Sequence, residues 1–287
     1  MSIATYAPQR LDSSASIHPE TLGKAPAHGR LKGRRILVVG GGQRKVIDEN
    51  PPIGNGRAIS LLFAREGAAI ACLDAVKEAA EDTCAQIKAE GGTAFPDVAD
   101  VADAYAIGPA LERCAKQLGG LDGLVLNAGI SRAFLLENQT PELWDEVFAV
   151  NVRSHMLFAQ KALNILAAGS AIILMSSLAS QRAGGRNPAY ESSKAAQLAL
   201  GRAIARAGEP KGIRCNVIAP GFIDTPMGRD ASRKRADRAL TVPFGRQGTG
   251  WEVAYAALYL MSNESSYVNA QTLFLDGGHL AGVQRDA

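Results

Sequence analysis

The chain has 287 residues, 47% of them hydrophobic and 21% charged, and carries a formal net charge of +3. That apolar share is ordinary for a globular protein and is enough for a large core. The charge is too mild to argue for a nucleic-acid partner, no run of about 18 apolar residues offers a membrane span, and the four histidines lack metal-ligand spacing. Residues 1–30 are rich in Ser, Ala, Pro and His without periodicity. They read as an arm, flexible or docked on a neighbouring subunit. Asp12 and Glu20 argue against a transit peptide, and no apolar signal core precedes them. Cys72, Cys84, Cys114 and Cys215 show no paired spacing, so free thiols in a reducing, cytoplasmic compartment are expected.

From residue 31 to 287 the pattern is that of one domain. Ile36–Val39 is a β-branched apolar run, a buried parallel strand. Gly40–Gly42 follow, then a polar stretch to Ile53, then Gly54-Asn55-Gly56 and an amphipathic helix to Glu66. Strand, glycines and helix in that order suit a dinucleotide. Glycines let the backbone approach a pyrophosphate, and the helix start offers free N–H groups. Gly41, Gly54, Asn55 and Gly56 are the candidates. Ala69–Asp74 reads as a second strand, whose terminal Asp74 can accept hydrogen bonds from ribose hydroxyls and repel a 2′-phosphate. A helix over 76–90 ends at Gly91-Gly92. Phe95–Val98 continues the alternation. A helix over 107–118 precedes the strand Leu121–Leu126 and its Asn127-Ala128-Gly129 end.

Thr140-Pro141 caps a long helix that carries Asn151 amid apolar residues, where a buried amide needs partners. His155, one turn on, reads as a packed or interface histidine. Ile172–Met175 is an apolar strand that delivers Ser176 and Ser177 at its C-terminal end. Pro188 opens an Ala-rich helix on which Tyr190 and Lys194, four apart, share a face. A phenol beside an ammonium loses its proton more readily, and a neighbouring hydroxyl can hold the same substrate oxygen. Those are the parts of a proton donor and acceptor for an alcohol or ketone. The small residues Ala195, Ala196, Ala199, Gly201 and Ala203 suggest close contact with a second copy. Strand Ile213–Ile218 leads into Pro220-Gly221. A charged stretch over 228–239 contains Arg229, Arg233, Lys234, Arg235 and Arg238. It is either a solvated face or a reader of anionic substrates. A helix over 251–261 and a strand over 272–275 complete the chain. Alternating apolar strands and helices predict an α/β fold, a Rossmann-like doubly wound parallel sheet with helices on both faces.

Ser177 precedes Tyr190 by thirteen residues, and with Tyr190-x-x-x-Lys194 this spacing resembles the short-chain dehydrogenase/reductase family. The likeness runs in order from Leu31 to Gly278. It implies that Tyr190 is the acid/base, Lys194 its partner on the nicotinamide ribose, and Ser177 the holder of the substrate oxygen. Asn151 would hold a water linked to Lys194. Asp97 and Val98 would meet adenine, Asn127, Ala128 and Gly129 would flank the cofactor, and Pro220, Gly221, Ile223 and Thr225 would grip the carboxamide. The stretch after Thr225 would be a substrate lid. Asp74, with Ile53 where NADP-using members often carry a basic residue, implies NAD rather than NADP. The substrate would be a small alcohol or ketone, and the assembly a homodimer or homotetramer. One departure stands out. Gly41 and Gly54 are thirteen apart, about nine more than the family spacing, and Gly40 replaces the usual Thr. The loop over 43–53 either bulges from the surface or folds over the cofactor with Arg44 or Lys45 near phosphate. A nucleotide-binding sensor or scaffold with weak chemistry is the alternative that this departure suggests.

Overall fold

The computed structural model describes residues 16–48, 50–182, 184–234 and 236–282, with side chains left out at 234 and 236–238. The strands are β1 (Arg35–Val39), β2 (Ala69–Asp74), β3 (Thr93–Val98), β4 (Leu121–Leu126), β5 (Leu166–Met175), β6 (Arg214–Pro220), the short β7 (Ile223–Asp224) and β8 (Gly248–Thr249), and β9 (Thr272–Leu275). Interleaved with them are α1 (Asn55–Arg65), α2 (Lys77–Ala89), α3 (Ala104–Leu118), α4 (Pro141–Phe148), α5 (Ser154–Ala162), α6 (Pro188–Gly208), α7 (Pro226–Lys234) and α8 (Gly250–Met261). Seven strands pair in the order β3-β2-β1-β4-β5-β6-β9, all parallel.

Both faces of the sheet are covered, which explains why its strands read as continuous apolar runs rather than alternating ones. Along β1, Ile36 and Val38 face a core shared with α1, α2 and α8, whereas Leu37 and Val39 face one shared with α3, α5 and α6. β5 divides in the same way, Ile173 and Met175 against Ile172 and Leu174. Phe63 and Phe158 are fully buried, one on each face. Burial of each contributes about 2–3 kcal/mol. The four cysteines are free and buried, as the sequence led us to expect for thiols inside apolar runs.

The strand order reverses direction between β1 and β4, and such a switch point opens a crevice beyond the C-terminal strand ends. Asn127 spans it by donating from Nδ2 to the Gly40 carbonyl, 2.7 Å away.

Two features differ from the sequence expectation. Residues 16–30 lie on their own domain rather than apart from it. Glu66, at the end of α1, is fully buried and accepts from the His28 and Arg30 backbone amides and from the Arg30 guanidinium (2.7 Å). Arg65 holds the Gly23 carbonyl, and Thr249 holds that of Thr21. Residues 1–15 of the arm lie outside the described residues. The helix begun at Thr140, whose hydroxyl accepts from the Leu143 amide, is also not continuous. A π-helical turn, Ala149–Arg153, separates α4 from α5. No helix among the described residues is long and apolar enough to cross a membrane, and none of their His, Cys, Asp and Glu side chains cluster as metal ligands.

Candidate active site

The cradle at the switch point is made of backbone. Gly40 ends β1 with φ +76°, a left-handed conformation that favours glycine. A Cβ on Gly56 would fall 1.9 Å from the Gly40 carbonyl oxygen, so only glycine lets α1 start this close to β1. Gly54, whose amide donates to Gln43 Oε1 (2.7 Å), precedes α1 without a side-chain cap, which leaves the amides of the first turn from Asn55 free for an anion. Asn55 Oδ1, in that first turn, is buried without a partner. At the neighbouring strand end Asp74 accepts from the Gly42 amide (3.0 Å) and the Val76 amide (3.1 Å). An uncapped helix start and a glycine floor fit a dinucleotide pyrophosphate, while the unpartnered Asn55 oxygen and the Asp74 carboxylate, acceptors both, suit hydroxyl or N–H donors rather than phosphate.

Asp97 turns the other way. Its carboxylate receives Arg113 Nη2 at 2.8 Å and Arg113 Nε at 3.1 Å on α3, and the Cys114 thiol lies beside it. The sequence expectation of an Asp97 contact to adenine is therefore not what the side chain is arranged for. Val98, the next residue, is exposed at the strand end with its backbone near Asp74. At the far side Gly221 donates to the Leu275 carbonyl, and the Thr225 hydroxyl accepts from the Gly228 amide, fixing the start of α7 below Ile223.

Ser177, Tyr190 and Lys194 come from the end of β5 and the first turns of α6. The Lys194 amine is 4% exposed and donates to the Met175 carbonyl at 2.8 Å, two residues before Ser177. It lies 5.5 Å from the centre of the Tyr190 ring. Burial pulls the Lys194 pKa down from 10.5 to about 7. The two serines have separate tasks. Ser176 is buried and donates to the Lys194 carbonyl at 2.7 Å, clamping α6 to the strand. Ser177, with φ −163°, accepts from the Ala179 amide and keeps its own proton available.

Asn151 is fully buried in the π-turn. Its amide accepts from the Ile130 amide (2.8 Å) and donates to the Ile130 carbonyl (2.9 Å) and to Ser193 Oγ (3.0 Å). Ser193 in turn donates to the Tyr190 carbonyl. His155 and Gln197 join this group, and sequence reasoning gave neither a role in the site. Gln197 donates to the Asn151 carbonyl at 2.7 Å and faces His155 Nδ1 at 2.9 Å; His155 Nε2 faces the Ala128 carbonyl at 2.9 Å. A polar Gln three residues past Lys194 on a buried helix face was the one available signal.

The loop over 43–53 is tied to α7 and, through Gln43 Oε1, to the Gly54 amide (2.7 Å) of the glycine cradle. Arg44 pairs with Asp230 and donates to the Pro226 carbonyl, so it is not aimed at phosphate. Asp48 accepts from Arg229 at 2.7 Å and lies 3.9 Å from Arg233. Arg229 also forms two bonds to Asp224, which raise its pKa. Arg229 is thus committed to acids of this chain, whereas Arg233 is exposed and only loosely placed beside Asp48 and Asp230. The Lys234, Arg235 and Arg238 side chains lie outside the described residues.

Against known proteins, a family profile described as enoyl-(acyl carrier protein) reductase matches residues 53–279. The 3-oxoacyl-(acyl-carrier-protein) reductase of Thermotoga maritima is 34% identical over 252 residues, covering 87% of this chain and 98% of that protein. The 2-(R)-hydroxypropyl-CoM dehydrogenase of Xanthobacter autotrophicus is 35% identical over 79% of this chain and 95% of its own. A short-chain dehydrogenase from Burkholderia cenocepacia, solved in complex with NADP, superimposes with a TM-score of 0.80 at 33% identity, over 88% of this chain and all of that one. The chain belongs to the short-chain dehydrogenase/reductase family, and its activity class is that family's nicotinamide-linked oxidoreduction.

Proposed function

We propose that this protein interconverts a small alcohol and its ketone with NAD(H), using Tyr190 as acid/base. The observation that supports the reading is the buried Lys194 amine, 5.5 Å from the centre of the Tyr190 ring and bonded to the Met175 carbonyl, two residues before Ser177 at the end of β5. Bound nicotinamide supplies the hydride acceptor or donor. In oxidation the Tyr190 phenolate takes the hydroxyl proton, and in reduction the phenol returns it. Lys194, as the ammonium, favours the phenolate and offers N–H donors to the nicotinamide ribose. Ser177 holds the substrate oxygen with its free proton. Asn151 keeps the residue 129–130 peptide in register with α6. Gly41, Gly54, Asn55 and Gly56 hold the pyrophosphate, the Val98 backbone adenine, Asn127, Ala128 and Gly129 the nicotinamide side, and Pro220, Gly221, Ile223 and Thr225 the carboxamide.

NAD preference rests on Asp74, whose carboxylate at the ribose end repels a 2′-phosphate, and on Ile53, which offers that phosphate no charge. The loop over 43–53 is, on this reading, an insertion that ties the cofactor loop to the substrate lid. Ala195, Ala199 and Ala203 are exposed along α6 and suit a dimer contact. Gly201 does not belong to that surface, because a Cβ there would meet Val217 of β6 at 2.5 Å. The test is absorbance of the reduced nicotinamide over a panel of secondary alcohols with each nucleotide. We expect kcat/KM with NAD to exceed that with NADP by about tenfold or more, the worth of one well-placed charge. Equal or better use of NADP overturns the cofactor assignment. Nucleotide binding without turnover of any substrate favours the sensor reading.

A further inference from the structure

Three buried side chains and two half-buried backbone groups form a closed circuit behind the site. Ala128 is joined to His155, His155 to Gln197, Gln197 to the Asn151 backbone, and the Asn151 side chain to Ile130, two residues from Ala128. Asn151, His155 and Gln197 are all 0% exposed. Only one set of protons satisfies the circuit. The Asn151 carbonyl can only accept, so the nearby Gln197 atom is its amide nitrogen, whose second proton goes to His155 Nδ1. That makes Nδ1 an acceptor and leaves the imidazole proton on Nε2, where it is donated to the Ala128 carbonyl. His155 is neutral, its pKa lowered to about 3 by burial and by the neighbouring Lys194 charge.

Enclosed by this circuit is Gly129. A Cβ there would lie 3.3 Å from the Lys194 amine and 3.4 Å from Asn151 Oδ1, so the peptide at 128–130 is the wall against which that amine rests. The arrangement has a cost. Gln197 Oε1 is buried with no partner, and an unsatisfied oxygen of this kind is destabilising. A methionine would fill the same space without that oxygen, but would leave the Asn151 carbonyl and His155 Nδ1 without their donor. Buried polar groups that weaken the fold locally are a mark of functional sites.

We propose that His155 and Gln197 are positioning residues, which hold the Ala128 and Asn151 carbonyls so that the 128–130 peptide sets the place of the Lys194 amine. The inference rests on the assignment of Lys194 to the nicotinamide side. Neither residue touches substrate or cofactor, and both act through backbone.

The variants are Gln197→Met, of nearly equal volume, and His155→Leu, made singly and together in the full chain. Nucleotide affinity is read by reduced-nicotinamide fluorescence, stability by thermal unfolding, and turnover at 25 °C. For Gln197→Met we expect a Tm lowered by a few degrees, as the Asn151 carbonyl and His155 Nδ1 lose their donor, kcat lower by about 10- to 100-fold, weaker nucleotide binding, and an unchanged alcohol KM. The double variant should be no slower than the slower single one, because each breaks the same circuit. Retention of kcat and nucleotide affinity within roughly twofold, whatever happens to Tm, overturns the proposal. One further measurement needs no variant. Nitrogen-15 NMR of the wild-type imidazole should show the Nε2-protonated neutral tautomer from pH 5 to about 9. An Nδ1-protonated ring, or titration inside that window, also overturns it. A wild-type protein that binds no nicotinamide nucleotide sinks the functional reading instead and leaves the tautomer result standing by itself.

Discussion

Lys194→Met should make the protein more stable at neutral pH while removing its activity. The amine is 4% exposed, and burial lowers its pKa from 10.5 to about 7. Between those values the unfolded chain binds a proton that the folded protein does not. Wild-type stability therefore rises with pH across the window from about 7 to 10.5, and below it the full penalty applies. At ~1.4 kcal/mol per pH unit the penalty near pH 7 is about 5 kcal/mol. Methionine removes it and loses the bond to the Met175 carbonyl, worth about 1–2 kcal/mol. A net gain of about 3 kcal/mol remains, or ~5–10 °C in Tm for a chain of this size. At pH 10.5 only the lost bond is left, and the variant should be slightly the less stable of the two. Calorimetry of both proteins at pH 7 and 10.5 reads the difference. A variant that is destabilised at pH 7, or a gap of the same size at both pH values, would refute the reasoning.

The two serines should separate stability from chemistry. Ser177→Ala should lower kcat about 100-fold with little change in Tm, whereas Ser176→Ala, which frees the Lys194 carbonyl, should cost about 1 kcal/mol and leave kcat nearly intact; the reverse pattern in kcat would exchange their roles. Glu66→Ala should cost about 3 kcal/mol and expose residues 16–30 to limited proteolysis, since Glu66 is buried against Arg30 and the His28 amide. Burial works to raise the Glu66 pKa, but those hydrogen bonds outweigh it and hold the carboxyl below its ordinary 4.5. Its contribution is thus full above about pH 4.5 and fades on further acidification, so the gap between wild type and variant should close in that range, and a gap that stays constant contradicts the assignment. Asp48→Ala, which unties the loop over 43–53 from Arg229, should speed nucleotide release up to about fivefold at low salt and much less near 0.5 M salt. Identical release rates in stopped-flow fluorescence would mean that the loop does not hold the lid.

The sheet could be read from the sequence because its central strands, β1, β2, β4 and β6, are buried on both faces, and a short β-branched run such as Ile36–Val39 has few other uses. Ser177, Tyr190 and Lys194 were legible because strand end and helix start are local features whose spacing survives folding. What stayed hidden is long-range. Nothing local shows that Arg113 takes the Asp97 carboxylate, that Asp48 meets Arg229, or that Arg30 returns to Glu66. The π-turn at 149–153 could not be read from the sequence, because the helices on either side, of 8 and 9 residues, are too short to show the shift of phase that one extra residue makes. His155 was read as packed, as it is, but its bond to Gln197 joins two helices whose relation the sequence does not state.

The most direct test of the central claim is Tyr190→Phe, with turnover and nucleotide affinity measured on the same preparation. Loss of about 10³-fold or more in kcat with nucleotide affinity within a few-fold of wild type is the predicted result, since only the proton-transferring oxygen is removed. Substantial turnover in the phenylalanine variant would contradict the account.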